Sequence, residues 1–78
     1  MNVITLRVRS KDPQAGTILT SVIGSVPNFG YYVVKKIGDG VYVASVFGPF
    51  TSLDTQRVEM VLKQNGFEIL TQKEESDG

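Results

Sequence analysis

Few residues in this chain of 78 could do acid–base or nucleophilic chemistry, because it has no histidine and no cysteine. The usual zinc ligands and a thiolate nucleophile are therefore missing, and the serines and threonines have no histidine to activate them. General acid–base catalysis needs two positioned titratable groups. Only Glu59 and Glu68 have no expected structural role. The other carboxylates are assigned to helix starts, a turn or the polar end of the chain: Asp12, Asp54, Asp39, Glu74, Glu75 and Asp77. We expect a non-enzymatic protein without cofactor or metal.

Two arginines are the first candidates for binding. The first segment alternates like a half-buried strand, with an apolar side toward the core: Ile4, Leu6 and Val8. Arg7 and Arg9 then project together from the opposite side, and Lys11 could extend the row. Basic residues beside aromatic ones on a four-stranded sheet are typical of RNA-recognition motifs. However, eight basic and eight acidic residues cancel, so the chain lacks the positive excess that neutralises phosphates, which argues against nucleic acid as a partner.

The segment after this strand predicts a helix. Asp12 can cap free N–H groups and Pro13 suits the first helical position. Apolar residues then recur at spacings of three and four: Ala15, Ile18, Leu19, Val22, Ile23 and Val26. No residue from Gln14 to Val26 is charged. One interpretation is a helix that simply packs on the sheet; the other is that small residues at positions 16, 20, 21 and 24 let another group approach closely.

A hairpin follows, and its second strand is apolar on both sides. Gly38-Asp39-Gly40 predicts a tight turn between antiparallel strands at Tyr31–Ile37 and Val41–Phe47. One side of the second strand carries Val41, Val43, Ser45 and Phe47, and the other carries Tyr42, Ala44 and Val46. An apolar, aromatic face that no helix covers would be a partner surface. We assign six residues to this open face as a binding site: Arg7, Arg9, Tyr32, Tyr42, Ala44 and Val46.

The last third of the chain predicts a capped helix and a final strand. Thr51 and Asp54 match a capping box, and the expected buried stripe is Leu53, Val58, Val61 and Leu62. Glu59 and Lys63 should form an ion pair on the exposed side. Asn65-Gly66 is a helix stop, Phe67–Thr71 forms the last strand, and the polar residues from Gln72 onward are expected to fray.

The order β-α-β-β-α-β indicates an α+β, ferredoxin-like fold. This fold has a four-stranded antiparallel sheet in the order 4-1-3-2, with two helices on one face. Residues 1–73 should form a single domain, and residues 74–78 a polar C-terminal tail.

The region from Val41 to Ile69 resembles the second half of a SPOR (sporulation-related repeat) domain. The shared pattern is a tyrosine among alternating valines, Gly48-Pro49-Phe50, a small polar cap, a helix with late leucines, and then glycine with an aromatic residue. The resemblance implies the same topology. It also implies binding of peptidoglycan glycan strands through the open face of the sheet.

The function expected from the sequence is that of a small protein-binding module, such as the accessory or inhibitory proteins that phages carry. Its partner would be another protein or a second copy of itself in a homodimer, bound through the open face or an edge strand. A glycan is the alternative partner and nucleic acid the third. The chain has no signal peptide pattern and no apolar run long enough for a membrane span, so we expect a cytoplasmic protein that does not bind membranes.

Overall fold

A computed structural model describes residues 1–76, and these form two helices and a four-stranded antiparallel sheet. The elements in chain order are β1 (Asn2–Arg9), α1 (Ala15–Gly24), β2 (Tyr31–Gly38), β3 (Val41–Gly48), α2 (Ser52–Gln64) and β4 (Glu68–Ser76). The strands lie in the order β2-β3-β1-β4, which is the predicted order 4-1-3-2 read from the other edge. The predicted α+β, ferredoxin-like fold is therefore confirmed.

Both helices pack on one face of the sheet, which we call the covered face. Its centre consists of three pairs between β1 and β3: Ile4 with Val46, Leu6 with Ala44, and Val8 with Tyr42. Leu19 and Ile23 of α1 and Val58 and Leu62 of α2 complete the core, each at most 2% exposed. Each such aliphatic side chain contributes about 1.5–3 kcal/mol of burial free energy.

The placement of four predicted site residues on the open face is wrong. Ala44 and Val46 are fully buried, Tyr42 is 9% exposed, and Tyr32 packs half-buried against the same core. The reason is the strand register, because directly opposite residues of an antiparallel pair share a face of the sheet. The inward residues of β1 therefore carry their β3 partners to the covered face, and Tyr32 follows because it pairs with Val46.

Helix α1 begins at Ala15, two residues later than predicted. Asp12 forms a turn ahead of it, in which the carboxylate accepts the Gln14 backbone N–H at 2.8 Å. The interpretation of close approach fits two glycines. A Cβ at Gly24 would lie 2.8 Å from the Tyr32 Oη, and a Cβ at Gly16 would lie 3.3 Å from the Tyr42 ring. The groups that approach α1 are thus tyrosines of its own sheet.

Helix α2 begins as predicted, with Asp54 accepting the Thr51 backbone N–H at 2.9 Å. The Asn28 amide also donates to this carboxylate, at 3.0 Å. These two hydrogen bonds, the one from Asn28 first, lower the pKa of Asp54 from its ordinary value. Of the predicted buried stripe, Val58 and Leu62 are buried and Val61 is half-buried. The prediction is wrong at Leu53, which is 72% exposed, and Thr55 is buried instead.

Strand β4 is longer than predicted. It runs to Ser76, and Glu74, Glu75 and Ser76 pair with the beginning of β1. The prediction that the chain frays from Gln72 onward, with residues 74–78 as a polar tail, is therefore wrong for residues 72–76. An edge strand with exposed side chains tolerates a polar sequence. The rest of that tail, Asp77 and Gly78, lies outside the described residues. Within residues 1–76, no helix is long and apolar enough to cross a membrane; the cytoplasmic location stays a prediction.

Candidate functional site

The uncovered side of the sheet, which we call the open face, carries a mixture of apolar and charged residues. Arg7 and Arg9 lie on it, as predicted, and both are exposed. The strand registers place the other members beside them. These are Val3, Thr5, Tyr31, Val33, Lys35, Val41, Val43, Ser45, Phe47, Glu68, Thr71, Lys73 and Glu75.

The apolar part of the open face lies on β2 and β3. The rings of Tyr31 and Phe47 meet with centroids 5.8 Å apart, and Tyr31 is 62% exposed. A shallow hollow of about 490 Å³ continues from this pair to Met1 and Pro49. This part of the surface is suited to an apolar contact.

The charges of the open face largely neutralise one another. Arg9 forms an ion pair with Glu68, and Lys73 pairs with Glu75 at 3.4 Å. Arg7 and Lys35 form no ion pair with another described residue. Two free cations do not make the continuous basic surface that binding to a nucleic acid backbone requires.

A second candidate site is a cleft of about 540 Å³ at the end of the sheet where β1 finishes and β3 begins. We call it the end cleft. It lies where the β1–α1 connection meets the β2–β3 turn, and the Ser10 N–H donates to the Gly40 carbonyl there at 2.9 Å. Gly40 has a φ of +72°, and a Cβ at this position would lie 2.5 Å from the Ser10 carbonyl oxygen. The close approach of the Ser10 carbonyl therefore requires glycine at position 40. The volume of the end cleft is within the range of small-molecule sites.

Tyr42 forms part of the wall of the end cleft, although its ring belongs to the core. The side chain is nine-tenths buried, and its ring lies against Gly16 in the first turn of α1. No hydrogen bond joins the Tyr42 hydroxyl to another described residue, yet this oxygen is not sealed from solvent. A buried tyrosine normally finds a partner for its O–H. The hydroxyl is thus a free donor and acceptor at the cleft.

Charged side chains of both signs line the same cleft as Tyr42. Arg9, Lys11 and Lys36 line the cleft together with Asp12 and Asp39. Lys36 is the register partner of Tyr42 on β2. No group of three or more acidic residues that could hold a metal ion occurs within the described part of the chain.

The structure therefore divides the six predicted site residues. Arg7 and Arg9 lie on the open face, Ala44, Val46 and Tyr32 lie under the helices, and Tyr42 reaches the end cleft, which Arg9 also lines. The prediction missed Lys36 and Asp39. The topology contained the signal, because antiparallel strands bring the end of β1 and the β2–β3 turn to the same end of the sheet.

Comparison with known proteins gives a fold relative but no family. No family model matches the chain, and no curated protein matches it. A solved structure of a mutant of SnoaB, a cofactor-independent oxygenase from Streptomyces nogalater, matches with a TM-score of 0.62 and 9% sequence identity. The match covers 97% of this chain and 91% of the SnoaB chain. At this identity the likeness establishes the fold alone, and the SPOR resemblance stays a prediction.

This comparison corrects the expectation of a non-enzymatic binding module. That expectation excluded catalysis because histidine, cysteine and paired carboxylates are missing. An oxygenase with this fold works without a cofactor, and tyrosine and lysine side chains can also transfer protons. The exclusion of catalysis was therefore wrong.

Proposed function

We propose that this protein binds a small molecule in the end cleft and uses the Tyr42 hydroxyl on it, as a hydrogen-bond donor and as a proton-transfer group. The observation that carries the proposal is the Tyr42 side chain, nine-tenths buried but with an unpartnered hydroxyl at a cleft. Because this hydroxyl is accessible to solvent, it can hydrogen-bond water. A ligand oxygen at this position would take the place of that water.

The surroundings of Tyr42 suit chemistry on a bound ligand. The ring is held between the core of the sheet and Gly16 of α1, so the direction of its hydroxyl is fixed by packing. Fixed orientation lowers the barrier of a proton transfer because the reacting groups do not have to be ordered first. Lys36 beside it supplies positive charge for an oxygen that becomes negative.

The fold relative adds a reaction class to this proposal. An oxygenase without a cofactor must activate its substrate with protein groups alone, and a fixed phenol beside lysine is such a set of groups. Oxidation of an enolisable or phenolic small molecule by O₂ is therefore the first reaction to test in this cleft.

The proposed binding is tested by NMR titration of the protein with phenol and 4-hydroxybenzoate. We expect the largest shifts in backbone amides around Ser10, Gly16 and Gly40, and their loss or weakening in Tyr42→Phe, which keeps the ring and removes the oxygen. Tyr31→Phe on the open face is the matched control and should bind like the unmodified chain. Shifts that are confined to the open face, or that are unchanged in Tyr42→Phe, would contradict the proposal.

We also propose that the open face binds the open face of a second copy, so that the working protein is a homodimer. The apolar surface around Tyr31 and Phe47 offers a contact to the same surface of a second copy. Two ion pairs of the open face cancel, and the cations without an ion pair, Arg7 and Lys35, lie on either side of Val43. Four strands of about eight residues make a face of roughly 500 Å². Two such faces approach the lower limit of about 1,000 Å² for a specific interface.

Light scattering tests the dimer. We expect a mass twice that of the chain, and a monomer in Val43→Lys, because this change adds a third cation between Arg7 and Lys35 on each face. Met60→Lys is the control, because Met60 is an exposed apolar residue on α2, away from the open face. The Met60→Lys variant should stay dimeric. A monomer at all concentrations, or a Val43→Lys dimer, would reject the interface. Pelleting with glycan strands that lack peptides would instead support the SPOR-like alternative.

A further inference from the structure

The asparagines of this chain differ in the residue that follows them. Asn2 and Asn28 are followed by large side chains, whereas Asn65 is followed by Gly66. An asparagine loses its amide when the backbone nitrogen of the next residue attacks the side chain, and a side chain on that next residue hinders the attack. We infer that Asn65 is a site of spontaneous deamidation, and that the last turn of α2 controls the rate of this reaction.

The reaction needs only the chain and water. The Gly66 nitrogen attacks the Cγ atom of Asn65 and gives up its proton, and the side-chain nitrogen leaves as ammonia with that proton. The product is a cyclic succinimide. Water then opens the ring at one of its two carbonyl groups, which leaves either aspartate at position 65 or isoaspartate, whose backbone runs through the former side chain.

The site is open to solvent and has room for the ring. Asn65 and Gly66 are both exposed. Gly66 has a φ of +84°, and a Cβ at this position would meet no other atom within 4 Å. No other part of the described chain therefore shields the two reacting groups.

Hydrogen bonds at the helix end nevertheless hold both nitrogens that the reaction uses. The Asn65 Nδ2 donates to the Val61 carbonyl at 2.8 Å, which directs the side-chain amide back along α2. The Gly66 N–H, whose proton must be lost, donates to the Lys63 carbonyl at 3.1 Å. The folded chain should therefore react slowly, because the last turn of α2 has to open first.

The next residue keeps this turn closed. The Phe67 N–H donates to the Leu62 carbonyl at 2.9 Å, and together with the bond from Gly66 to Lys63 this forms a Schellman motif. The Phe67 side chain is 4% exposed and Leu62 is fully buried. Packing of Phe67 in the core thus holds the reactive pair in its unreactive arrangement.

Both products weaken the turn that slows their formation. A carboxylate at position 65 cannot donate to the Val61 carbonyl, and a negative charge is unfavourable at the C-terminal end of a helix. Isoaspartate also adds a carbon atom to the backbone ahead of Phe67, which disturbs the spacing of the Schellman motif. An opening that leads to deamidation therefore leaves a chain whose α2 closes less well.

The rate is measured on the whole chain in mildly alkaline buffer, folded or unfolded in urea. Trypsin releases the peptide from Gln64 to Lys73, mass spectrometry measures its deamidated fraction, and a digest of the fresh chain gives the background. In urea we expect Asn65 to react well ahead of Asn2 and Asn28. The folded chain should react roughly tenfold or more slowly, as a site does that reacts only when open. Equal rates for the folded and unfolded chain, or for the three asparagines in urea, would overturn the inference.

Two core variants test whether the last turn is the part that opens. Phe67→Ala should speed deamidation of the folded chain severalfold. Phe50→Ala is the matched control, because its ring is similarly buried but lies ahead of the start of α2. Equal acceleration would mean that global unfolding controls the rate. The unmodified chain makes the same distinction without a variant: opening of one turn exposes little surface, so the rate should depend weakly on urea below the unfolding transition. A steep dependence there would contradict control by the last turn.

The effect of the product is tested with Asn65→Asp. This variant should melt below both the unmodified chain and Gln64→Glu. The glutamate variant is the control because it adds the same charge at the end of α2 and leaves the hydrogen bond from Asn65 to Val61 in place. Melting of Asn65→Asp at or above the temperature of Gln64→Glu would contradict a turn that its own product weakens.

Discussion

The two faces of β3 are built from similar residues but have different surroundings. Val46 on the covered face is fully buried, whereas its neighbour Phe47 on the open face is only partly buried and touches the exposed Tyr31. Valine and aromatic residues occur on both sides, so hydrophobicity does not distinguish them. The difference comes from the register with β1 and from two glycines of α1, which leave space for tyrosine rings on one face of the sheet. The covered face is the one whose tyrosines fit against helix glycines.

The largest expected effect is that of a charge placed on each face in turn. Val46→Asp should destabilise the fold by roughly 3–5 kcal/mol, because it removes a buried side chain and buries a carboxylate without a partner. This is a large part of the stability of so small a domain. Phe47→Asp should lower the free energy of unfolding by about 1 kcal/mol or less, measured at a micromolar concentration of protein. Urea unfolding of both variants measures the difference, and equal losses would mean that the open face is also structural.

A smaller effect is expected from a single methyl group at the end of β3. A Cβ at Gly48 would lie 2.4 Å from the Asn28 carbonyl oxygen and 2.7 Å from the Gly30 nitrogen. Because both are backbone atoms, Gly48→Ala should cost about 1–3 kcal/mol. At Gly30 the new Cβ would make an ordinary contact of 3.6 Å, so Gly30→Ala is the control and should stay within about 1 kcal/mol. Similar unfolding midpoints for the two variants would contradict the close packing at Gly48.

The smallest expected effect is the contribution of the Asp54 carboxylate, at the start of α2, to the stability of the fold, and it depends on pH. The Asn28 amide and the Thr51 backbone N–H lower the pKa of Asp54 in the folded protein. A lowered pKa stabilises the fold above the ordinary carboxyl pKa of 3.8, and this contribution is lost as pH falls through the folded-state value. We expect Asp54→Asn to melt below the unmodified chain at neutral pH, and the gap to narrow in acid. In an Asn28→Ala background, the difference in melting temperature between the chain with Asp54 and its Asp54→Asn variant at neutral pH should be smaller. A difference that widens in acid would contradict the lowered pKa of Asp54.

The sequence was sufficient for the order of elements but not for the choice of face on β3. The strand pattern of Ile4, Leu6 and Val8, the Asp-Gly turn and the capping box at Thr51 are local signals, and all of them are confirmed. On β3 the alternation is symmetric, and a register shift of one residue exchanges the two faces. That register depends on pairing with β1, which is not local. Tyr42 was therefore placed on the wrong side of the sheet, and its position at the end cleft was missed.

The length of β4 and the exposure of Leu53 show the same limit. Polar residues from Gln72 to Ser76 gave no strand signal, because the backbone pairing of an edge strand does not need apolar side chains. Leu53 fits a helical stripe by spacing, but it lies in the first turn of α2 and remains exposed. In both cases the surroundings decided, and they are set by contacts far along the chain.

The glycines of α1 also fix where the helix sits along its own axis. Gly16 and Gly24 are eight residues apart, which is about 12 Å along a helix, and each forms a notch that receives one tyrosine ring. A helix held at two such points can neither slide nor turn on the strands without driving a side chain into a ring. The first turn of α1 is therefore kept at a constant distance from the Tyr42 ring, and that ring is held in one position.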